Sequence, residues 1–222
     1  MEQEKKYRIK DLTWEYHKNA ERQDFVRLLL SGNIDEKLYA TYLYNQLICY
    51  GKLEEYCLES SLFHDTLNLP RAPHIFYDYR ALWTDIGNPP VQTESTKAYV
   101  EHLETIRGEN EKLYAHVYVR HLGDLSGGQM IAKKVPVKRY YDFGAKGKEW
   151  KRIVKEIINE YLNTYQVNVL NEVEYCFESA TNLFKEMNEI NKPLVLTDEV
   201  FDENNRDTRN DPFKGTSIEG KD

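Results

Sequence analysis

The chain has 222 residues, of which 41% are hydrophobic and 30% are charged, and its formal net charge is −7. This length and composition are typical of one globular domain with a sizeable core. The acidic balance argues against a nucleic-acid partner, because the chain lacks the general positive field with which proteins follow phosphates.

The N-terminal segment MEQEKKYRIK is charged and lacks the apolar stretch of a signal peptide. No apolar run approaches the roughly 18 residues of a membrane span. Cys49, Cys57 and Cys176 are an odd number without metal-like spacing, which suits reduced thiols rather than disulfides. We therefore expect a soluble, cytoplasmic protein with no membrane partner.

Apolar residues recur at helical rather than alternating spacing, as at Leu43, Leu47 and Tyr50, which predicts an all-α fold. Helices are predicted at about 5–20, 22–30, 35–60, 75–84, 92–107, 109–133, 147–163 and 166–189, between segments rich in glycine, proline and serine. We expect residues 1–193 to form a single domain. Residues 194–222 are acidic and polar, and we expect them to form a mobile tail.

The helix predicted at 109–133 contains three glycines, Gly123, Gly127 and Gly128. Each interior glycine destabilises a helix by roughly 1 kcal/mol relative to alanine, so the three cost on the order of 2–3 kcal/mol. Gly123 and Gly127 lie one turn apart on one face, where the backbone can approach a flat ligand closely and the helix can kink. From spacing alone, a close helix–helix contact or a break between helices is the more common explanation.

The stretch AHVYVRHLGDLSGGQ resembles the signature of the haem oxygenase family, AHxYxRYLGDLSGGQ, and departs from it at His121, where many members have tyrosine. The resemblance implies a helical bundle in which haem lies between a proximal N-terminal helix and a kinked, glycine-rich distal helix. It also implies catalytic roles, on the distal side of the haem, for Tyr50, Tyr118, Arg120, Gly123, Asp124 and Gly127.

Asp124 is the distinctive member of that set. Its i, i+4 spacing from Arg120 alone indicates only a surface ion pair worth a few tenths of a kcal/mol. In the family, the matching aspartate anchors ordered water beside the bound oxygen, with Arg120 and Tyr118 as supports. Tyr50, by counting forward from the proximal helix, matches a tyrosine of the same network, although its spacing from Leu47 also suits a core residue. A carboxylate can orient water in this way without binding iron.

Histidine is a common ligand to haem iron, and the six candidates are His17, His64, His74, His102, His116 and His121. The segment TWEYHKNAER resembles the family's proximal helix, which implies that His17 is the axial ligand. Glu21, one turn later, matches the carboxylate that orients the ring. His116 is the main rival, because it lies on nearly the same helix face as Gly123, but it matches a family histidine that does not bind the iron.

The haem propionates need basic partners at one edge of the ring. Lys151 and Lys155, one helical turn apart, match family residues that face the propionates, and Lys10 matches another; a solvated basic face would show the same spacing. Phe177 and Phe184 match aromatic residues of the pocket and the core, although plain core packing explains them almost as well.

The implied function is that of a haem oxygenase, with haem b as both cofactor and substrate. Oxygen and external electrons would convert haem to biliverdin, of the alpha isomer, with carbon monoxide and ferrous iron. Because GDLSGG follows a helical run rather than a strand, no dinucleotide site is indicated, and the electrons must come from a partner such as ferredoxin. A basic run offers a docking patch, although a solvated loop explains it equally: Lys133, Lys134, Lys138 and Arg139.

Three other interpretations are open. A non-catalytic haem carrier or sensor on the same fold would keep His17 and the glycines but would not need Asp124. A di-iron oxygenase requires Glu-x-x-His pairs, and no histidine here follows a glutamate at that spacing. An α-helical interaction module would use the glycines only for helix contacts and would leave Asp124, Tyr118 and Arg120 unexplained.

Overall fold

The computed structural model describes residues 8–192, which form helices without any strand, so the predicted all-α class is confirmed. The described residues lie within one compact unit. The segment predicted as a tail, 194–222, lies outside the described residues. The α-helices are α1 (Ile9–Leu12), α2 (Trp14–Glu21), α3 (Asp24–Ser31), α4 (Glu36–Glu59), α5 (Ala72–Leu82), α6 (Glu94–Thr105), α7 (Asn110–Ser126), α8 (Gly128–Ile131), α9 (Gly147–Thr164) and α10 (Gln166–Asn191).

Several helix ends follow directly from local side-chain chemistry. The carboxylate of Asp35 accepts hydrogen bonds from the backbone N–H groups of Lys37, at 2.9 Å, and Leu38, at 3.0 Å, and so caps α4. The hydroxyl of Thr93 caps α6 in the same way. Gly32 ends α3 with a φ of +79°, a left-handed conformation that glycine adopts without strain.

Three boundaries differ from the sequence prediction. The single helix predicted at 5–20 is divided at Thr13, whose backbone is not helical and whose hydroxyl donates to the carbonyl of Ile9 at 2.9 Å. Helix α5 starts at Ala72 rather than at 75, because Pro73 falls in the first turn, where a missing N–H costs nothing. The helix predicted at 109–133 is divided at Gly127 into α7 and α8.

Helix α7 is the centre of the bundle. Its ten consecutive residues from Leu113 to Leu122 are all buried, as expected for a helix that is enclosed on every side. It packs against α4, α9 and α10, and α10 also contacts α2 and α3. The long helix α10 therefore holds α2 opposite the C-terminal end of α7, where the buried stretch stops and a cleft opens.

No helix among the described residues combines the length and the apolar character needed to cross a membrane.

Candidate active site

Two adjoining cavities open between α2 on one side and the end of α7 with α8 on the other. The tyrosine cavity, lined by Tyr42, Tyr50 and Tyr140 among others, has a volume of about 360 Å³. The lysine cavity, lined by Lys10, Lys151 and Lys155 among others, has a volume of about 550 Å³. They form one continuous cleft, of a size typical for small-molecule sites, because seven residues line both cavities: His17, Glu21, Val119, Gly123, Gly127, Met130 and Phe177.

His17 is the residue that α2 contributes to both cavities. Its ring stacks on Trp14, with 5.8 Å between ring centroids, and meets Phe177 edge-on at 5.7 Å. Nδ1 is buried, lies 3.4 Å from the carboxylate of Glu21 and makes no hydrogen bond with the described residues. The side chain is nevertheless 38% exposed and lines both cavities, so its ring is accessible to a ligand in the cleft.

Gly123 and Gly127 present bare backbone to the opposite wall of the cleft. A Cβ atom built on Gly123 would meet no described atom within 4 Å, and one on Gly127 would meet only the Gly123 carbonyl oxygen at 3.6 Å. Packing within the described residues therefore does not require glycine at 123, and the helix-contact explanation does not apply there. Gly128 differs, because its Cβ would lie 2.6 Å from the Tyr141 ring. The open space over Gly123 and Gly127 lets a flat ligand approach the helix backbone closely.

Asp124 lies half-buried in the wall of the tyrosine cavity, and its carboxylate accepts a hydrogen bond from the hydroxyl of Tyr50. Burial raises the pKa of Asp124 to about 6, against the lowering effect of hydrogen bonds from Tyr50 and Tyr140. Burial also raises the pKa of Tyr50 well above its ordinary value, so this hydroxyl remains a donor at neutral pH. The site thus holds a carboxylate, mostly ionised at neutral pH, that can orient water in the cleft.

Arg120 lines the tyrosine cavity one turn before Asp124, but its contacts are with other residues. Its Nη1 donates to Gln46 Oε1 at 3.1 Å, and its guanidinium lies 4.0 Å from the centre of the Tyr99 ring. No ion pair within 4.0 Å joins Arg120 to Asp124, so the surface pair that spacing alone suggests is not formed between these two described residues. The buried Nε of Arg120 has no hydrogen-bond partner among residues 8–192.

Tyr118 lies on a different side of α7 from Asp124, and so away from Tyr50 of α4. It lines the lysine cavity and not the tyrosine cavity. Burial raises its pKa, and a hydrogen bond with Thr13 lowers it. The structure therefore brings Tyr118 to the start of α2 and not to the Tyr50–Asp124 pair.

Three lysines come together at the outer end of the lysine cavity, Lys10 from α1 and Lys151 and Lys155 from α9. Burial, and then the positive charges of Lys155 and Lys10, lower the pKa of Lys151. No carboxylate of residues 8–192 forms an ion pair with any of the three, and Lys10 lies over the Trp14 ring at 5.3 Å. Cations without acidic partners are suited to binding the carboxylates of a ligand.

The histidines at 116 and 121 are engaged elsewhere. His116 is completely buried, and its Nε2 lies 3.0 Å from Glu172. His121 is also completely buried, and its Nε2 lies 2.9 Å from Glu54. Of the six histidines, all of which are described, His17 alone lines the cleft.

Sequence reasoning missed Tyr140, Tyr141 and Gln46, which all line the tyrosine cavity. The backbone N–H of Tyr140 donates to Asp78 at 2.8 Å, and the rings of Tyr140 and Tyr141 stack with 4.3 Å between centroids. Both tyrosines come from the irregular segment after α8, where no helical period indicates which way a side chain points. The only sequence signal is the adjacent pair of tyrosines itself.

One accessible histidine on one wall and bare backbone on the other fit a haem whose iron takes a single protein ligand. This arrangement defines a class of haem proteins in which the second face of the iron is open to oxygen. The lysine cluster at one end of the cleft fits the two propionates of the same ligand.

Comparison with known proteins identifies the family. The Heme oxygenase family model matches residues 4–190. A heme oxygenase of Porphyra purpurea is 28% identical over 205 residues, which cover 81% of this chain and 85% of that protein. The structure of a heme oxygenase from Leptospira interrogans is similar with a TM-score of 0.69, at 25% identity, over 80% of this chain and 97% of that one.

Heme oxygenase-1 from the cyanobacterium Synechocystis in complex with heme is similar in fold with a TM-score of 0.68, at 21% identity, over 82% of this chain and 90% of that one. The chain belongs to the heme oxygenase family, whose reaction is the cleavage of haem to biliverdin. The family and the helical fold predicted from the sequence are both confirmed.

Proposed function

We propose that this chain cleaves haem in the cleft between α2 and α7, with His17 as the iron ligand and Asp124 as the residue that organises water on the opposite face. Bound haem supplies the iron at which oxygen is activated and the ring carbon that is cut. The observation that carries the proposal is that His17 and the bare backbone of Gly123 and Gly127 line the same cleft, on the α2 side and the α7 side respectively.

On the proximal side, His17 offers a neutral imidazole nitrogen to the iron. Glu21 lies 3.4 Å from the other ring nitrogen and can orient the ring, directly or through water. Trp14 and Phe177 contact the same ring and limit its rotation. The ligand is therefore held in position by neighbours from both α2 and α10.

On the distal side, Asp124 accepts a hydrogen bond from Tyr50 and can bind water in the tyrosine cavity. Since its pKa is about 6, it is mostly ionised at neutral pH and can take up or release a proton through that water. Arg120 lines the same cavity, and its positive charge favours the ionised form of Asp124. A carrier has no use for such a group, so Asp124 favours the enzyme over a haem carrier or sensor.

At the outer end of the cleft, Lys10, Lys151 and Lys155 would bind the propionates. Holding both propionates at one end of the cleft would select one orientation of the bound ring. We propose that this orientation yields the alpha isomer of biliverdin, together with carbon monoxide and ferrous iron.

Electrons would come from an external donor, and an acidic ferredoxin fits the charge of the surface beyond α8. A basic run is exposed there, close in sequence to the cleft-lining Ile131 and Tyr140: Lys133, Lys134, Lys138 and Arg139. The three cysteines are buried as free thiols, which suits the reducing conditions of the cytoplasm.

A reconstituted reaction tests the proposal. The haem-loaded protein is mixed with ferredoxin, its reductase, the reductant and oxygen, and absorbance is followed with time. The expected result is loss of the Soret band with formation of biliverdin absorbance, identified as the alpha isomer by chromatography. A Soret band that persists under these conditions and under chemical reduction would leave only the carrier interpretation.

If turnover occurs with chemical reductant but not with ferredoxin, the ferredoxin assignment alone is wrong. Two variants locate the docking surface. Lys133→Glu with Lys134→Glu reverses two charges of the basic run, whereas Lys185→Glu on α10 reverses one charge elsewhere. Only the first should slow the reaction with ferredoxin.

A further inference from the structure

Outside the cleft, three helices bring two imidazoles and one carboxylate to a single point. Glu172 of α10 places its Oε2 atom 2.6 Å from Nε2 of His102, on α6, and 3.0 Å from Nε2 of His116, on α7. The three ligand-type atoms lie within 4.8 Å of one another, and no other such group of three is found among residues 8–192. None of the three residues lines either cavity of the cleft.

Both imidazole rings are held by further contacts. Nδ1 of His116 lies 3.0 Å from the hydroxyl of Tyr99, and the ring of His102 stacks on Tyr175 with 3.7 Å between centroids. Contacts of this kind fix the ring orientation of metal-binding histidines and set which nitrogen carries the proton. Without a metal, the Nε2–H of His116 donates to the Glu172 carboxylate, and Nδ1 accepts from the Tyr99 hydroxyl. In the other tautomer, Nδ1–H donates to the Tyr99 oxygen and Nε2 is free to bind a metal.

The carboxylate of Glu172 is buried at this point. Burial raises the pKa of Glu172, but the hydrogen bonds from His102 and His116 outweigh it and lower that pKa to about 2. Burial lowers the pKa of His116 to about 4, so its imidazole is neutral at pH 7. No lysine or arginine of the described residues forms an ion pair with Glu172, whose only ion-pair partners are the two histidines.

We propose that His102, His116 and Glu172 form a binding site for one Zn²⁺ ion, separate from the haem cleft. Two neutral imidazoles and one carboxylate are a donor set that zinc commonly takes, with water as the fourth ligand. Zinc bound at about 2.0–2.2 Å from each donor separates neighbouring donors by roughly 3.3 Å. The 3.0 Å pair is close to this value, and the 2.6 Å pair must open by less than an ångström.

The ion has a route to the site, because the side chain of His102 is 23% exposed while that of His116 is completely buried. Once bound, zinc would join α6, α7 and α10 in place of two hydrogen bonds. The bound ion would thus cross-link α6 and α10 to α7, and its binding would not depend on haem.

The test is a zinc titration of the full-length, haem-free protein in competition with a chromophoric chelator. Wild type is expected to bind one equivalent per chain, and Co²⁺ as a spectroscopic substitute should give the visible absorption of a low-coordinate site. His102→Asn, at the partly exposed position, should weaken zinc binding on the order of 100-fold or more, since loss of even an outer partner costs 10–100-fold. Glu172→Gln, which keeps the size of the side chain, should have the same effect.

His64→Asn is the matched control, because His64 is an exposed histidine paired with a carboxylate outside the site. It should bind zinc as wild type does, and so should His17→Ala, which separates this site from the haem ligand. Circular dichroism verifies that each variant is folded. Equal zinc affinity in wild type, His102→Asn and Glu172→Gln, or failure of wild type to bind one equivalent, would overturn the proposal and leave a hydrogen-bonded bridge between the helices.

Discussion

Replacing Asp124 with asparagine should stabilise the haem-free protein, although it removes a carboxylate from the proposed active site. Burial raises the pKa of this group from 3.8 to about 6. Since one pKa unit corresponds to 1.36 kcal/mol, keeping Asp124 ionised destabilises the folded state by up to roughly 3 kcal/mol. Solvent screening of the half-buried carboxylate makes this an upper limit. Asparagine has the same shape and still accepts the hydrogen bond from Tyr50.

The pH dependence of this effect has a definite sign. Because the folded pKa lies above the unfolded one, the folded state binds more protons between pH 3.8 and about 6. Wild type therefore loses the contribution of Asp124 as the pH rises through that window. The difference between Asp124→Asn and wild type should be absent below the window and complete above it.

Urea unfolding of the haem-free proteins, followed by circular dichroism at a series of pH values across the window, measures this difference. Asp65→Asn, on the exposed surface beside His64, is the control and should follow the wild-type curve at every pH. If Asp124→Asn is no more stable than wild type above about pH 6, burial of the ionised Asp124 does not destabilise the fold.

The two kinds of glycine should respond differently to substitution. Gly123→Ala should stabilise the haem-free protein by up to roughly 1 kcal/mol and weaken haem binding in a Soret titration, because its Cβ enters the open cleft. Gly128→Ala should lower the free energy of unfolding by about 1–3 kcal/mol, because its Cβ would lie 2.6 Å from the Tyr141 ring. Equal effects of the two on unfolding would contradict the packing described. Lys151→Ala with Lys155→Ala should weaken haem binding and mix the biliverdin isomers; an unchanged isomer ratio by chromatography would count against propionate binding there.

Helix positions could be predicted from the sequence wherever local chemistry decides them. Apolar spacing and the caps at Asp35 and Thr93 are properties of a few neighbouring residues, so α4 and α6 start within two residues of the predicted positions. The break at Thr13 could not be predicted in this way, because the residues on either side continue a helical pattern. Its cause is a backbone conformation that lets the hydroxyl bond to Ile9.

In the candidate site, too, features set by neighbouring residues could be predicted from the sequence, and features set by distant residues could not. The cost of the glycines in a helix is visible in the sequence, but which of them face open space depends on the distant Tyr141. The same holds for Tyr140, whose position is set by a hydrogen bond to Asp78, 62 residues earlier. Tyr118 matches the family signature as well as Arg120 does, yet only the packing of α7 determines that these two side chains line different cavities.

The central claim is that haem binds between α2 and α7 with His17 as its iron ligand, and resonance Raman spectroscopy of the ferrous haem complex tests it most directly. Wild type should show the iron–histidine stretching band. His17→Ala should lose the band and regain a band of this type when imidazole is added, whereas His64→Asn should keep it throughout. An iron–histidine band that persists in His17→Ala without added imidazole would contradict the assignment of both the ligand and the cleft.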